Sequence, residues 1–209
     1  MESNIIVREL HPEEFAVAVE MISRGMRDNP LHIQAFGVSP ESRLASLNRV
    51  FAIVIPLVSR RGAVLGAFKD NVLLGVVGMV APGKYQLTAI QSLKTLPRLL
   101  SALGVPPFLR VGQWMAEWKK QDLREPHWHL GPVAVDTHLQ GQGIGSALMV
   151  EYCRRLDQDV AVGYLETDKP MNVSFYKKSG FETIAEANVL GIPNWFMRRS
   201  ATARQPGGA

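Results

Sequence analysis

The chain predicts a mixed α/β layer with helices on both faces of a central sheet. Three observations carry that reading. Short β-branched runs alternate with stretches whose apolar residues recur every three or four positions. Two apolar runs, Ala63 to Lys69 and Asn71 to Val80, meet at Asp70-Asn71, a hairpin signal. A strand ending at Val135 runs through a glycine-rich turn into a helix beginning at Ile144.

In chain order, Ile5 to Leu10 reads as a first strand. From Pro12 the spacing Phe15, Val19, Ile22, Met26 gives an apolar helical stripe, which Arg27-Asp-Asn-Pro30 breaks. A second helix follows Ser39-Pro40, with Leu44, Leu47, Phe51 and Val54 inward, and ends near Arg61-Gly62. After the hairpin, residues 83–125 form an insertion with two helical patterns. One carries Leu93, Leu96, Leu99, Leu100 and Leu103, bent or interrupted by Pro97. The other begins at Pro106-Pro107 and carries Phe108, Val111, Trp114, Met115 and Trp118, which either pack against the sheet or line a substrate pocket. His127 to Val135 is a strand, and Ile144, Leu148, Tyr152 and Leu156 mark the inner face of the helix after it. Val162 to Thr167 reads as a buried strand. Asp168 is expected to cap the next helix, with Pro170 in its first turn and Gly180 as its left-handed stop. Phe181 to Leu190 and Trp195 to Arg198 supply the closing strands. Residues 1–199 are read as one domain and 200–209 as a frayed tail.

At 209 residues, with 46% apolar and 20% charged side chains, the composition is that of an ordinary globular protein with a sizeable core. No apolar run is read as membrane-spanning, and Met1-Glu-Ser-Asn lacks the basic and apolar start of a signal peptide, so a cytoplasmic location is the expectation. The net charge of +4 is scattered, without the arginine stripe or interleaved aromatics of a nucleic-acid binder. It suits attraction of a polyanionic cofactor. The single cysteine, Cys153, lies mid-helix and reads as a buried thiol rather than a nucleophile. The five histidines show no metal-ligand spacing, so no metal is expected.

The chemistry concentrates in Val133-Ala-Val-Asp-Thr-His-Leu-Gln-Gly-Gln-Gly-Ile-Gly-Ser-Ala-Leu148. Gly141, Gly143 and Gly145 remove side chains where the unpaired N–H groups of a helix emerge, and those donors with the positive end of the helix dipole seat a phosphate. A dinucleotide fingerprint fails here, because Gly141-x-Gly143 is followed by Ser146 and Gly143-x-Gly145 by Leu148 at the third glycine position. A Walker loop fails too: no lysine occurs between Val133 and Tyr164. What stands is Gln140-x-x-Gly143-x-Gly145 after a strand, and downstream Asn172-x-x-x-Tyr176 followed by Gly180-Phe181.

These two motifs, in this order, resemble the GNAT superfamily of N-acetyltransferases. The likeness is good from Trp128 to Arg199 and holds only in outline before that. Leu165-Glu-Thr, Asn172-Val-x-Phe-Tyr176 and Asn194-Trp-Phe-Met-Arg-Arg199 look similar to the puromycin N-acetyltransferase subgroup, whose acceptors are amino-bearing small molecules. The resemblance implies a GNAT fold: a mixed, mostly antiparallel sheet of about seven strands with helices on both faces and a helical insertion before the fourth strand. The strands holding Val135 and Leu165 are expected to splay and admit the pantetheine arm of acetyl-CoA. It further implies direct acetyl transfer to a primary amine of a small molecule or peptide through a tetrahedral intermediate. A non-catalytic acyl-CoA sensor, transfer of a longer acyl group, and a protein-lysine or N-terminal acetyltransferase are the alternatives. Partners would be the amine acceptor and, allowed by the resemblance, a second copy of the chain, with neither nucleic acid nor membrane.

Carried over position by position, the resemblance assigns cofactor binding to Gln140, Gly141, Gln142, Gly143, Ile144, Gly145 and Ser146 at the pyrophosphate. Main chain at Val133 and Val135 would meet the pantetheine amides, and Asn172 the cofactor arm. The Val133 N–H is the expected oxyanion donor and Tyr176 the proton donor to the departing thiolate. An alkylammonium is only on the order of 0.1% neutral at pH 7, so a base must take a proton. His129, its strand-parity neighbour His127, and Glu166 remain rival candidates for it, with Glu166 also able to bind the acceptor's cation.

Overall fold

The structure is a computed structural model that describes residues 5–202. The stretch from 203 onward, most of the expected frayed tail, lies outside the described residues, as do residues 1–4. The strands are β1 (Ile6–Glu9), β2 (Gly62–Lys69), β3 (Val72–Val80), β4 (His127–Val135), β5 (Val162–Thr167), β6 (Glu182–Val189) and β7 (Ile192–Arg199). The helices are α1 (Phe15–Met26), α2 (Pro30–Phe36), α3 (Pro40–Arg61), α4 (Ala89–Leu103), α5 (Val105–Gln121), α6 (Ile144–Gln158) and α7 (Pro170–Lys177). The strands form one seven-stranded sheet in the order β1-β2-β3-β4-β5-β7-β6, antiparallel throughout except between β4 and β5. This is the mixed, mostly antiparallel sheet with a helical insertion before the fourth strand that the family resemblance implies.

Period-two alternation explains the layers. Val64, Val76 and Val80 face a cluster built with α1, α2, α3 and α5, whereas Ala63, Leu65, Val77 and Met79 face a second cluster built with α6 and Tyr176 of α7. The central strands are therefore buried on both sides, which is why they read as continuous apolar runs. The β2–β3 turn is made by Asp70 and Asn71, both at positive φ (50° and 62°), the conformation that a two-residue hairpin requires. On α6 the expected face, Ile144, Leu148, Tyr152 and Leu156, is buried.

Several expectations change. The break after α1 holds a further helix, α2, which buries Leu31, His32, Ala35 and Phe36. Its entry is fixed by Arg43 of α3, whose buried guanidinium binds the carbonyls of Arg27 and Gly37 and the Asp28 carboxylate. Arg27 and Arg43 in turn hold the Asp28 pKa down to about 2. Pro97 does not interrupt α4, which is helical from Ala89 to Leu103. Its leucine stripe is not core either: Leu93, Leu96 and Leu100 are exposed, and only Leu103 is fully buried. Cys153 is half-buried rather than buried, and desolvation raises its pKa, which disfavours a nucleophilic thiolate. Finally, α3 is long and apolar enough to cross a membrane, contrary to the sequence reading. Its inner stripe of Leu47, Phe51, Ile55 and Val58 is packed in the core, which accounts for that character.

His32 is 5% exposed between Phe36, Phe51 and Trp114, and burial pulls its pKa down to about 4 against a small opposing effect of the Met26 carbonyl. The folded chain thus refuses a proton that the unfolded chain accepts below about pH 6.5. Stability is full above that pH and declines as the pH falls towards about 4. Between pH 7 and pH 5 the loss is about 2 kcal/mol. Urea midpoints at those two pH values should separate in the native sequence and converge for His32→Leu; an unchanged separation would refute the assignment.

Candidate active site

The glycine turn leads from the end of β4 to the start of α6. Gly141 and Gly143 take φ of 79° and 82°, and a Cβ added at either would meet nothing within 4 Å. Backbone conformation, rather than crowding, calls for glycine there. Gly145 is different: its Cβ would press on the Phe175 ring at 3.3 Å. Gly143 is the N-cap of α6 and offers no side chain to the first turn, so the N–H groups of Ile144, Gly145 and Ser146 are uncapped by it. Gln140, Gln142 and Ser146 are exposed around this turn. A 15-residue helix thus presents bare donors and its positive dipole end to solvent, as a phosphate requires.

β4 and β5 then part. They pair only at His127↔Val162, Trp128↔Gly163 and His129↔Tyr164. The cause lies on the other edge of β4, where Val77↔Val133 and Met79↔Leu130 leave one extra β4 residue around Gly131-Pro132. Proline lacks the ladder N–H and is tolerated in a sheet at such a bulge, which bends the strand. Gly78 makes room, since a Cβ there would sit 2.6 Å from the Gly131 carbonyl oxygen. Beyond the bulge the Asp136 N–H donates to the Leu74 carbonyl at 3.1 Å, which sets the ladder's parity. Hydrogen-bonded and non-hydrogen-bonded pairs alternate, so Val133 and Val135 turn their main-chain groups away from β3, towards the gap that β5 has vacated. This edge offers the main-chain donors and acceptors that an extended amide-bearing arm needs in place of the missing ladder.

Across the gap stands α7. Asn172 and Tyr176 share one face and both line the cleft. The Asn172 side-chain amide donates to the Thr167 hydroxyl at 3.2 Å. Tyr176 is 6% exposed, and burial first, then the Asp168 charge, push its pKa upward, so it keeps its proton at neutral pH. The helix ends as expected: Gly180 has φ 82°, and the Phe181 N–H returns to the Tyr176 carbonyl at 3.3 Å. Asp168 does not cap α7, whose N-cap is Lys169 without a side-chain bond. Its carboxylate instead accepts the Leu31 N–H at 2.8 Å and fastens α2 to the cleft.

The three rivals for the base are brought together on one sheet face. His129 Nε2 lies 3.0 Å from Glu166 Oε2, with both side chains almost wholly buried, so these two are one unit. Glu166 Oε1 and His129 Nδ1 find no partner among the described residues. The Tyr85 ring lies flat on His129, with centroids 3.5 Å apart. Next along the strand, His127 Nε2 stands 3.2 Å from Asp122 Oδ1, and its Nδ1 lies 2.9 Å from the Glu125 carbonyl. Burial lowers the His127 pKa, but the Asp122 carboxylate and the Glu125 carbonyl outweigh it and leave a net rise. His127 is therefore occupied as half of a second pair and does not line the cleft, whereas His129 and Glu166 do. Ligand atoms of Asp122, His127 and His129 fall within 4.8 Å of one another, a grouping that sequence spacing did not suggest because Asp122 comes from the end of the insertion.

The cleft, of about 260 Å³, is lined by Val133, His129, Glu166, Asn172 and Tyr176 together with Asp168 and Tyr85. Among residues of the sequence reading, Gln140 to Ser146 lie outside this cavity, at the solvent end of the gap. Tyr85 and Asp122 carry no local motif, and only the folding of the insertion over β4 reveals them.

Residues 39–181, more than half of the chain, match the acetyltransferase (GNAT) family. Among solved structures, a histone acetyltransferase HPA2 and related acetyltransferase from Corynebacterium glutamicum superposes with a TM-score of 0.75 at 20% identity, covering 95% of this chain and 97% of the other. An agmatine N-acetyltransferase gives 0.65 at 12% identity over 94% and 99%. Arylalkylamine N-acetyltransferase 2 from Aedes aegypti gives 0.64 at 13% identity over 95% and 100%. At these identities the likeness is one of fold. The glycine turn, the parted strands and the family match lead to one conclusion: this chain belongs to the GNAT acetyltransferase family.

Proposed function

We propose that the protein transfers acetyl from acetyl-CoA directly to a primary amine of a small molecule or peptide. One observation carries the reading: the His129–Glu166 pair, the protonated Tyr176 and the unpaired edge of β4 at Val133 converge on one cleft. The thioester of the bound donor supplies the activated acyl group. The chain's residues do the rest. N–H groups from Gln142 to Ser146 hold the pyrophosphate, with Gln140 and Gly141 shaping the turn, while Val133, Val135 and Asn172 align the arm. Glu166 orients His129, which takes the ammonium proton directly or through water. The Val133 N–H faces the oxygen on which charge develops, and Tyr176 delivers a proton to the leaving sulfur. No covalent enzyme intermediate is needed, which agrees with a raised Cys153 pKa.

A non-catalytic acyl-CoA sensor would need neither a buried imidazole–carboxylate pair nor a phenol held protonated beside it, and their presence favours an enzyme. The segments Leu165-Glu-Thr167 and Asn194–Arg199 support kinship with the puromycin N-acetyltransferase-like subgroup.

Tyr176→Phe should lower kcat about 100-fold or more while leaving the calorimetric affinity for CoA within a few-fold, because the hydroxyl acts late. Unchanged turnover would remove Tyr176 from the mechanism. Gly143→Asp should fold, since Asp tolerates the left-handed region, yet bind CoA at least about tenfold more weakly through charge repulsion at the turn. Normal affinity would refute the loop assignment. If His129 and Glu166 act as one unit, His129→Ala and Glu166→Gln should each lower kcat about tenfold or more, and the double variant should be little worse than either. Unchanged kcat in both would exclude the pair.

A further inference from the structure

Beside the cleft lies a larger chamber of about 560 Å³ between α3, α4 and α5, against about 260 Å³ for the cleft itself. The two are continuous: Phe51, Val54, Val58, Tyr85, Trp114 and Met115 line both. Charge is divided sharply between them. Both carboxylates, Glu166 and Asp168, line the cleft, and none lines the chamber. Apart from the histidine at the junction, the chamber's ionisable basic groups are Arg61 and Lys119. Arg61 is engaged by the carbonyls of Tyr85 and Gln86, and Lys119 is exposed. The remaining wall is predominantly aliphatic and aromatic.

The junction itself carries two polar atoms without a partner among the described residues: His32 Nδ1 and Trp114 Nε1. Both residues line both cavities and both are more than nine-tenths buried. With its pKa at about 4, His32 is neutral at pH 7, and the Trp114 indole can only donate. An ether, hydroxyl or carbonyl oxygen on a bound molecule would be recognised at this point.

We infer that the chamber seats the body of the acceptor, so that the substrate is a primary amine carried on a bulky, uncharged, largely apolar frame. This rests on the acetyltransferase reading above and adds the substrate class. The ammonium end meets Glu166 and Asp168, and the frame extends past Tyr85 and Trp114 into the α3–α4–α5 space. Burial of apolar surface there makes each methylene worth roughly fourfold in kcat/KM. The insertion, which contributes α4 and α5, is thereby the specificity element.

Gly112 provides the test. It lines the chamber on α5, outside the cleft, and an added Cβ would meet nothing within 4 Å. A side chain there fills space without crowding the core, and leaving glycine favours the helix. With acetyl-CoA as donor, kcat/KM of the native protein should climb about fourfold per methylene along n-alkylamines from ethylamine, up to a plateau. Gly112→Trp should cut the rate with long or arylalkyl amines at least tenfold while leaving ethylamine unchanged. Acetylation of ethylamine without any rise along the series overturns the inference and leaves the acetyltransferase reading intact. Equal loss with short and long amines in Gly112→Trp also overturns it. So does a Gly112→Trp that spares every amine but impairs octanoyl-CoA as donor, since the chamber would then hold an acyl chain. Failure to acetylate any amine would instead count against the reading beneath it.

Discussion

The site depends on a sheet that comes apart on one side of a single strand. β4 keeps its antiparallel bonds to β3 along most of its length but leaves β5 after His129↔Tyr164. One additional residue at Gly131-Pro132 is enough, because a bulge bends the strand and shifts which groups face which neighbour. In a closed sheet the main chain at Val133 and Val135 would be consumed by β5. Here it is left as an edge inside the protein, and an inner edge calls for a partner. The α6 N-terminus at the open end of the gap, and α7 across it, complete a slot with uncapped helix N–H groups at one end and the His129–Glu166 pair at the other.

Those groups obtain their properties from burial. A carboxylate as enclosed as Glu166 is costly unless paired, and His129 pairs it. The neighbouring His127–Asp122 pair repeats the device one step along β4, using an acid from the end of the insertion. The insertion therefore does more than roof the cleft. It supplies Asp122, lays Tyr85 on the His129 ring and, through Trp114, walls the space beyond. The His127–Asp122 pair and the wall of the space beyond are mechanically joined, since displacing α5 would disturb both. Arg43 and Asp168 anchor the opposite wall by fixing both ends of the chain around α2.

Much of this was legible in the residues. Strand and helix limits from β4 onward follow closely from apolar periodicity, and the Asp70-Asn71 and Gly180 turns follow from the conformations that those residues permit. The strand–glycine turn–helix unit was legible because its determinants are contiguous. What failed was also physical. The α4 leucines have a helical period, but periodicity reports a face and not what covers it: Leu93 is exposed, and Leu96 borders the chamber rather than the core. Asp168 looks like a cap in sequence, yet a long-range backbone donor, Leu31, claims it. The short helix α2 was hidden because seven residues hold too few apolar repeats to register.

The sequence by itself determined the layer architecture, the strand–glycine turn–helix unit and the Asn172–Tyr176 face, because each is specified by neighbours within a few turns of chain. The tertiary structure alone decided that His129 and Glu166 are one pair and His127 belongs to another, that Tyr85 and Asp122 join them, and that the aromatic stripe of α5 walls a chamber. Those relations link residues dozens of positions apart. They exist only where strand register and the docking of the insertion bring the side chains within bonding distance.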